Sequence, residues 1–429
     1  MSDATAERPD GDFPGWPIPI APARAQGSAM AGLMDAIAGS QGIPFADYPA
    51  FHAWSCREYP TFWSQFLATL DLPLSGSLEP ACTGQGVAGT RFFPGLRLNV
   101  AQCLLRRIDD ATEQAPALIL RTEQGARVSR TRAGLRDRCL RLAGALREAG
   151  VAPGDRIVAI GRNSPELVEA FVASAAVGAT WSSVSPDLGV DAVLSRFGEL
   201  GASVAFVDLR HVHHGQVHDT TGALREILPA LASLRLVVTL HDHPSMPADM
   251  PTSARIAPFD ELLAGEALVL ERLAHFAFDH PLCILFTSGT TGKPKCLVHG
   301  AGGTLLEHLK EHRLHAGFGP HDRLLFYTTC GWMMWNWMVS GLASAMPLVI
   351  YDGSATFPTP DALLEVLADE RVTVFGTSPA YLQMLQNLQI EPRANRSLER
   401  LRTIQSTGSV LHPHQFDWIR ESFGAVAIE

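Results

Sequence analysis

The chain has 429 residues, 46% of them apolar and 18% charged, which gives room for two or three domains with a sizeable core and excludes disorder throughout. Its 34 Lys and Arg against 44 Asp and Glu give a net charge of −10, so no basic surplus exists to neutralise a phosphate backbone and no nucleic-acid partner is expected. Seven cysteines, odd in number and scattered without a C-x-x-C pair, fit a reduced chain. The N-terminus lacks the basic and apolar regions of a secretory signal, and no run of about 18 uncharged apolar residues occurs, so a soluble cytoplasmic protein without a membrane partner is expected.

Residues 1–30 are rich in Pro, Gly, Ala and Asp without a sustained period and predict a mobile arm. Phe51, Trp54, Tyr59, Phe62, Trp63 and Phe66 fall at helical spacings and predict a helical cap, assigned to residues 31–110. A large α/β domain, incomplete at its end, is assigned to 111–429, because from about residue 117 strands alternate with helices. Leu135, Cys139, Leu142 and Leu146 mark one helix face. Ile157 to Ile160 reads as a strand, Ser164-Pro165 as the cap and first residue of a helix, Thr180 to Val184 and Val204 to Val207 as further strands. This alternation predicts an α/β fold with parallel sheet covered on both faces. Leu209 to Ala274 is less regular, and its histidines (His211, His213, His214, His218, His241, His243) lack ligand spacing and read as surface residues in loops. Strands resume near 283–286, 297–299, 323–328, 348–351, 372–375 and 401–405.

The run Thr287-Ser288-Gly289-Thr290-Thr291-Gly292-Lys293-Pro294-Lys295 lies between two of these strands. Its glycines permit a sharp turn that presents N–H groups, four hydroxyls add donors and two lysines add charge, which together suit phosphate. It is not a Walker A loop, because two residues separate the glycines and Pro294 stands where a Mg²⁺-binding hydroxyl belongs. On composition alone a polar hairpin remains the alternative. Further on, Gly331-Trp332-Met333-Met334-Trp335-Asn336-Trp337 packs three tryptophans into six residues, which by itself reads as core. Ser406-Thr407-Gly408-Ser409-Val410 is a Gly-containing turn after a strand.

The decapeptide Phe286 to Lys295 resembles the phosphate loop of the adenylate-forming superfamily of acyl-CoA synthetases, luciferases and adenylation domains. The resemblance implies that Thr287, Ser288, Gly289, Thr290, Thr291, Gly292 and Lys293 bind the β- and γ-phosphates of ATP, with Lys295 catalytic. It further implies that Gly408, Ser409 and Val410 contact the nucleotide and that Trp332, Met333, Met334 and Thr407 line the acyl pocket. Phe51 to Ser55, Phe92 to Asn99, Trp181 to Ser183 with Ser185-Pro186-Asp187, Glu307 to His312 and the tryptophan run are similar to the acetoacetyl-CoA synthetase family. ATP, Mg²⁺ held largely by ATP, CoA and acetoacetate are then the implied small-molecule ligands, with no protein metal cage. An acid other than acetoacetate is a further alternative. The family's Pro is missing at Val410, and His211, His213, His214 and Gln216 stand where relatives place basic residues for CoA. The family's later elements, including a ribose-binding Asp and a small domain with an adenylating lysine, have no counterpart before Glu429, so the expectation is the front part of such a ligase, with little or no turnover and a role limited to binding. His308-Leu309-Lys310-Glu311-His312 satisfies H-x-x-E-H and sets zinc hydrolysis as a remote alternative.

Overall fold

The computed structural model describes residues 25–241, 245–287 and 294–429. Two seven-stranded sheets dominate it. In the first, the strands lie in the order Arg255–Pro258, Leu236–Thr239, Val204–Val207, Arg156–Ile160, Thr180–Val184, Pro281–Phe286, Cys296–Gly300. In the second the order is Ala427–Ile428, Thr403–Ser406, Val374–Thr377, Leu324–Phe326, Leu348–Asp352, Pro116–Thr122, Arg127–Thr131. Each sheet is parallel except at one edge, where a hairpin returns an antiparallel strand. The α/β reading from strand–helix alternation is what the fold shows.

Helices cover the sheets because their apolar faces match them. Arg132–Glu148 starts at Thr131, whose hydroxyl accepts the Gly134 N–H, and buries Leu135, Cys139, Leu142 and Leu146. Pro165–Ala176 starts at Ser164 in the same way and is buried nearly all round, which places it between sheet and helices rather than at the surface. The strands Thr180–Val184 and Val204–Val207 have the expected limits. Others shift: Leu324–Phe326 is shorter than 323–328, and Val374–Thr377 and Thr403–Ser406 each begin two residues later than expected. The reason is the Asp322 carboxylate, which accepts from the Thr373 hydroxyl (2.9 Å) and from Arg402 (2.6 and 2.7 Å) and so occupies the residues just ahead of both strands.

The region read as less regular, 209–274, carries regular elements among its described residues. Arg210–His213 and Gln216–Asp219 form a hairpin, followed by helix Thr221–Ala230 and the two outer strands of the first sheet. His211 and His218 pair across that hairpin with rings stacked at 4.9 Å, so they belong to strands rather than loops. His243 lies outside the described residues. In the cap, helices Tyr48–Arg57 and Tyr59–Ala68 carry the aromatic cluster, with Phe45, Phe51 and Trp54 rings 5.1–5.8 Å apart. Residues 74–98 add short strands, and Leu96–Leu98 pairs with Leu74–Gly76 and Phe276–Ala277. Of the expected arm, residues 1–24 lie outside the described residues; Ser28 caps helix Ala29–Gln41. All seven cysteines are free. Among the described residues no helix is long and apolar enough to cross a membrane.

Candidate functional site

In a parallel sheet, ligands bind beyond the carboxyl ends of the strands, where the strand order reverses direction. The first sheet reverses at Arg156–Ile160, whose next strand lies on one side and the one after on the other. The second reverses in the same way at Leu324–Phe326. The residues that leave these two strands meet each other. Asn163 Nδ2 donates to Thr328 O (2.6 Å) and Tyr351 O (3.1 Å), and Cys330 Sγ lies 3.2 Å from Gly161 O. Both reversal points therefore open onto one seam.

A buried charge cluster crosses that seam. Arg162 donates from its backbone N–H to Asp208 Oδ2 (2.7 Å) and from Nη1 to Asp352 Oδ2 (3.0 Å), joining the first sheet to the second. Burial pushes the Asp208 carboxyl up to about 7 and the Asp352 carboxyl up to about 6, in each case against the pull of Arg162. His241 is held neutral, pushed down to about 3 by burial and by Arg162, whose Nε donates to its Nε2 at 3.2 Å. Arg162, Asn163, Asp208 and Asp352 were not singled out in the sequence. For Arg162 and Asn163 the signal was positional: a polar pair one residue past an all-apolar strand end and directly before the helix cap Ser164.

The tryptophan run leaves the second sheet's reversal point. Trp332 is the residue ahead of helix Met333–Ser340 and is 66% exposed, while Met333 and Met334 are half-buried and Trp335 and Trp337 are core. The run thus divides: Trp332 is exposed, Met334 packs partly against the core, and Trp335 and Trp337 lie within it. Asn336 is buried, its Nδ2 reaching Trp332 O only at 3.4 Å and its Oδ1 unpartnered. The backbone ahead of Trp332 is fixed by Ser183, whose hydroxyl donates to Cys330 O at 2.7 Å. The adjacent Ser182 donates to Ile284 O at 2.9 Å, within the strand that leads into the phosphate-type loop. Successive residues of a strand face opposite ways, so one strand, Thr180–Val184, positions both segments.

At that loop, Thr287 N–H donates to Lys295 O (3.1 Å), closing its base, and Lys295 is exposed. Ser288, Gly289, Thr290, Thr291, Gly292 and Lys293 lie outside the described residues. Thr407, Gly408, Ser409 and Val410 are exposed at the carboxyl end of Thr403–Ser406, and the Thr407 N–H is held by Thr377 O at 3.2 Å. Gly408 has φ +99° with no atom within 4 Å of where a Cβ would stand, an open turn that backbone contact with a ligand requires. Buried polar atoms without partners lie along the same edge: Asn163 Oδ1, Thr377 Oγ1, Gln405 Oε1 and Ser406 Oγ. Since buried polar groups are normally paired, this edge suits a polar ligand.

The H-x-x-E-H run does not assemble a metal centre. Lys310–His315 is a π-helical turn, which breaks the i, i+4 face the motif needs. His308 Nδ1 pairs with Ser340 Oγ at 2.8 Å, Glu311 pairs with Lys310 at 2.7 Å, and His312 is enclosed against Trp337 with ring centroids 4.2 Å apart. Among the described residues no group of three His, Cys, Asp or Glu is placed to hold a metal.

Comparison with known proteins agrees with this layout. The AMP-binding enzyme family matches residues 105–429. The chain is 40% identical over 395 residues to acetoacetyl-coenzyme A synthetase of Rhizobium meliloti (strain 1021), covering 92% of this chain and 60% of that protein. It is 37% identical over 391 residues to acetoacetyl-CoA synthetase of Mus musculus, and 35% identical over 407 residues to malonamoyl-CoA synthetase vrtB of Penicillium aethiopicum. These alignments cover 90% of this chain, with 58% and 56% of the respective relatives. Among solved structures, acetoacetyl-CoA synthetase from Streptomyces lividans superimposes with a TM-score of 0.89 at 34% identity, over 95% of this chain and 63% of that one. The chain spans about 60% of the length of the curated relatives it matches.

Proposed function

The chain belongs to the AMP-binding enzyme family, and from that premise we propose that it serves ATP-dependent activation of acetoacetate and its transfer to CoA. In this reading a carboxylate oxygen of acetoacetate attacks the α-phosphorus of ATP, the bond to pyrophosphate breaks, and acetoacetyl-AMP forms. The CoA sulfur then attacks the acyl carbonyl and AMP leaves. What carries the reading is the seam: both sheet reversals open onto it, and Ser182 and Ser183 hold the strand ahead of the loop and the Trp332 segment from one strand.

Each group has a task of positioning or charge neutralisation, which is most of what phosphoryl-centred substitution asks of a protein. Thr287 to Lys293 would hold the β- and γ-phosphates and Lys295 would offset the charge that develops on the leaving pyrophosphate. Gly408, Ser409 and Val410 would pass beneath the nucleotide, and Trp332, Met333, Met334 and Thr407 would bound the acyl group. Mg²⁺ would arrive largely with ATP, since that ion keeps its waters and needs few protein ligands. Acetoacetyl and malonamoyl groups both carry a second carbonyl at C3, so a hydrogen-bond donor in the pocket would select them over acetate or butyrate; the buried Asn336 Nδ2, held only by a 3.4 Å contact to Trp332 O, is the donor at hand. A location in the cytoplasm accords with the composition.

The test separates binding from turnover. ATP binding to the 429-residue chain is measured by calorimetry, with Lys295→Ala beside it, followed by pyrophosphate release with acetoacetate, butyrate or acetate. Equal ATP affinity in the Lys295→Ala variant would sink the loop assignment. Release that does not distinguish acetoacetate from butyrate would sink the substrate assignment. ATP binding with no release leaves the second reading, a nucleotide- and acyl-binding module.

A further inference from the structure

The seam occupies the carboxyl ends of the strands. At the opposite end of the second sheet lies a cavity of about 800 Å³, walled by the segments that lead into three of its strands: Gly317 to Pro320 before Leu324–Phe326, Ser344 and Ala345 before Leu348–Asp352, and Arg402 before Thr403–Ser406. Parallel strands of three to five residues separate it from the seam by roughly 10–17 Å of chain. In a chain of net charge −10, this cavity is lined, among the described residues, by Arg106, Arg313, Arg402 and His315 and by no carboxylate.

The arginines differ in how their charge is met. Arg402 is neutralised by Asp322 and lies over the Phe318 ring at 5.2 Å. Among the described residues Arg313 hydrogen-bonds only to neutral groups, Ser344 Oγ (3.1 Å) and Ala343 O (3.1 Å), and feels one carboxylate, that of the exposed Asp71. Arg106 reaches Ala343 O at 3.5 Å and meets one carboxylate, the fully exposed Asp71, at 3.7 Å, a pairing worth little in water. Its Nε is buried and has no acceptor. Burial and then the neighbouring Arg106 push Arg313 down to about 10. Arg313 sits in the π-helical turn, closed by the Ala316 N–H to Glu311 O bond of 3.0 Å, and such turns recur at functional sites. Two neighbouring cations with an unused buried donor form an arrangement that an oxyanion stabilises and that a fold without a ligand would not favour.

We propose that this cavity is a second, non-catalytic site for a small phosphate-bearing molecule, gripped by Arg106 and Arg313. The guanidinium forks supply paired N–H donors to phosphate oxygens, and the apolar Ile108, Leu314 and Phe318 walls leave room for an organic portion. Inorganic phosphate, titrated calorimetrically at fixed ionic strength into the 429-residue chain, is the probe. Saturable binding is expected, weakened about tenfold or more by Arg106→Gln and by Arg313→Gln, only partly restored by Arg106→Lys, which keeps the charge but loses the paired donors, and unchanged by Lys295→Ala. Circular dichroism and thermal melting establish that each variant is folded, and Arg106→Gln is the milder change because Arg106 makes the weaker backbone contact. The proposal is overturned by the absence of saturable binding, by binding that survives Arg106→Gln but is lost in Lys295→Ala, or by acetate binding more tightly than phosphate.

Discussion

The two large sheets end in the same way, with a hairpin returning an antiparallel edge strand, yet the hairpins do opposite things. In the second sheet the return from Thr122 to Arg127 is short and pinned. Gly125 N–H bonds to Thr122 O, and the buried Glu123 carboxylate accepts backbone N–H groups of Ser354 (2.7 Å), Gly215 (2.7 Å) and His214 (3.2 Å). That carboxylate therefore clamps the strand edge to the His211–His218 hairpin of the other half of the molecule. In the first sheet the return runs from Thr287 to Lys295, its base closed by one backbone bond, and Leu297 and Val298 beyond it are exposed. A carboxylate draws backbone N–H donors to the protein itself, whereas the run between Thr287 and Lys295 contains no acid and carries the hydroxyls, glycines and lysines on which the proposed phosphate role rests. The same edge construction thus acts as a clamp where the turn brings its own anion.

The largest effect should come where the sheets join. Replacing Arg162 by Leu leaves Asp208 and Asp352 buried without their cation and is expected to cost about 3–5 kcal/mol near pH 8. Their carboxyl pKa values are raised by folding, so each contributes stability below its unfolded value that is lost as pH rises through the folded one, about 7 and about 6. Without Arg162 both rise further, so the deficit of the variant should shrink on acidification to pH 5.5. Urea unfolding at the two pH values checks this, and a deficit that grows toward acid would contradict it.

Next, Glu123→Ala should cost about 3 kcal/mol, because three backbone donors lose their acceptor. ATP affinity should change little. Lys295→Ala is the mirror image: the residue is exposed, so melting should hardly move, while ATP affinity falls about ten- to a hundredfold with the loss of a charge-assisted contact. If both variants shift melting and binding together, the division between clamp and cradle is wrong. The smallest change is Gly408→Ala. A Cβ there meets nothing within 4 Å, so only the positive φ opposes it, at a cost of about 1 kcal/mol, and a larger loss in melting would mean the turn is packed rather than open.

The family was legible in the chain order. Glycines and hydroxyls followed by lysines carry the resemblance without any neighbour being known, because it is local to ten residues. Strand limits were clear where apolar runs were bounded by turn residues, as at Thr180–Val184, and blurred where a remote side chain cut a strand short, as Asp322 does for two of them. The histidine-rich hairpin was missed because alternation is masked when most of its residues are polar. The H-x-x-E-H run shows the reverse error: the spacing fits, but a π-helical turn and separate partners for each side chain disperse it.

Local periodicity was enough to establish the alternating α/β plan, and one ten-residue run was enough for the resemblance to adenylate-forming enzymes, since both depend on residues close in the chain. What required the folded molecule was the meeting of the two sheet reversals, the charge cluster about Arg162, and the cavity behind Arg106 and Arg313, free of acids among the described residues. Asn163 and Tyr351 are 188 residues apart, Ser183 and Cys330 147, and Arg106 and Ala343 237. Pairings over such separations follow from how strands are ordered and helices packed, which no stretch of neighbouring residues encodes by itself.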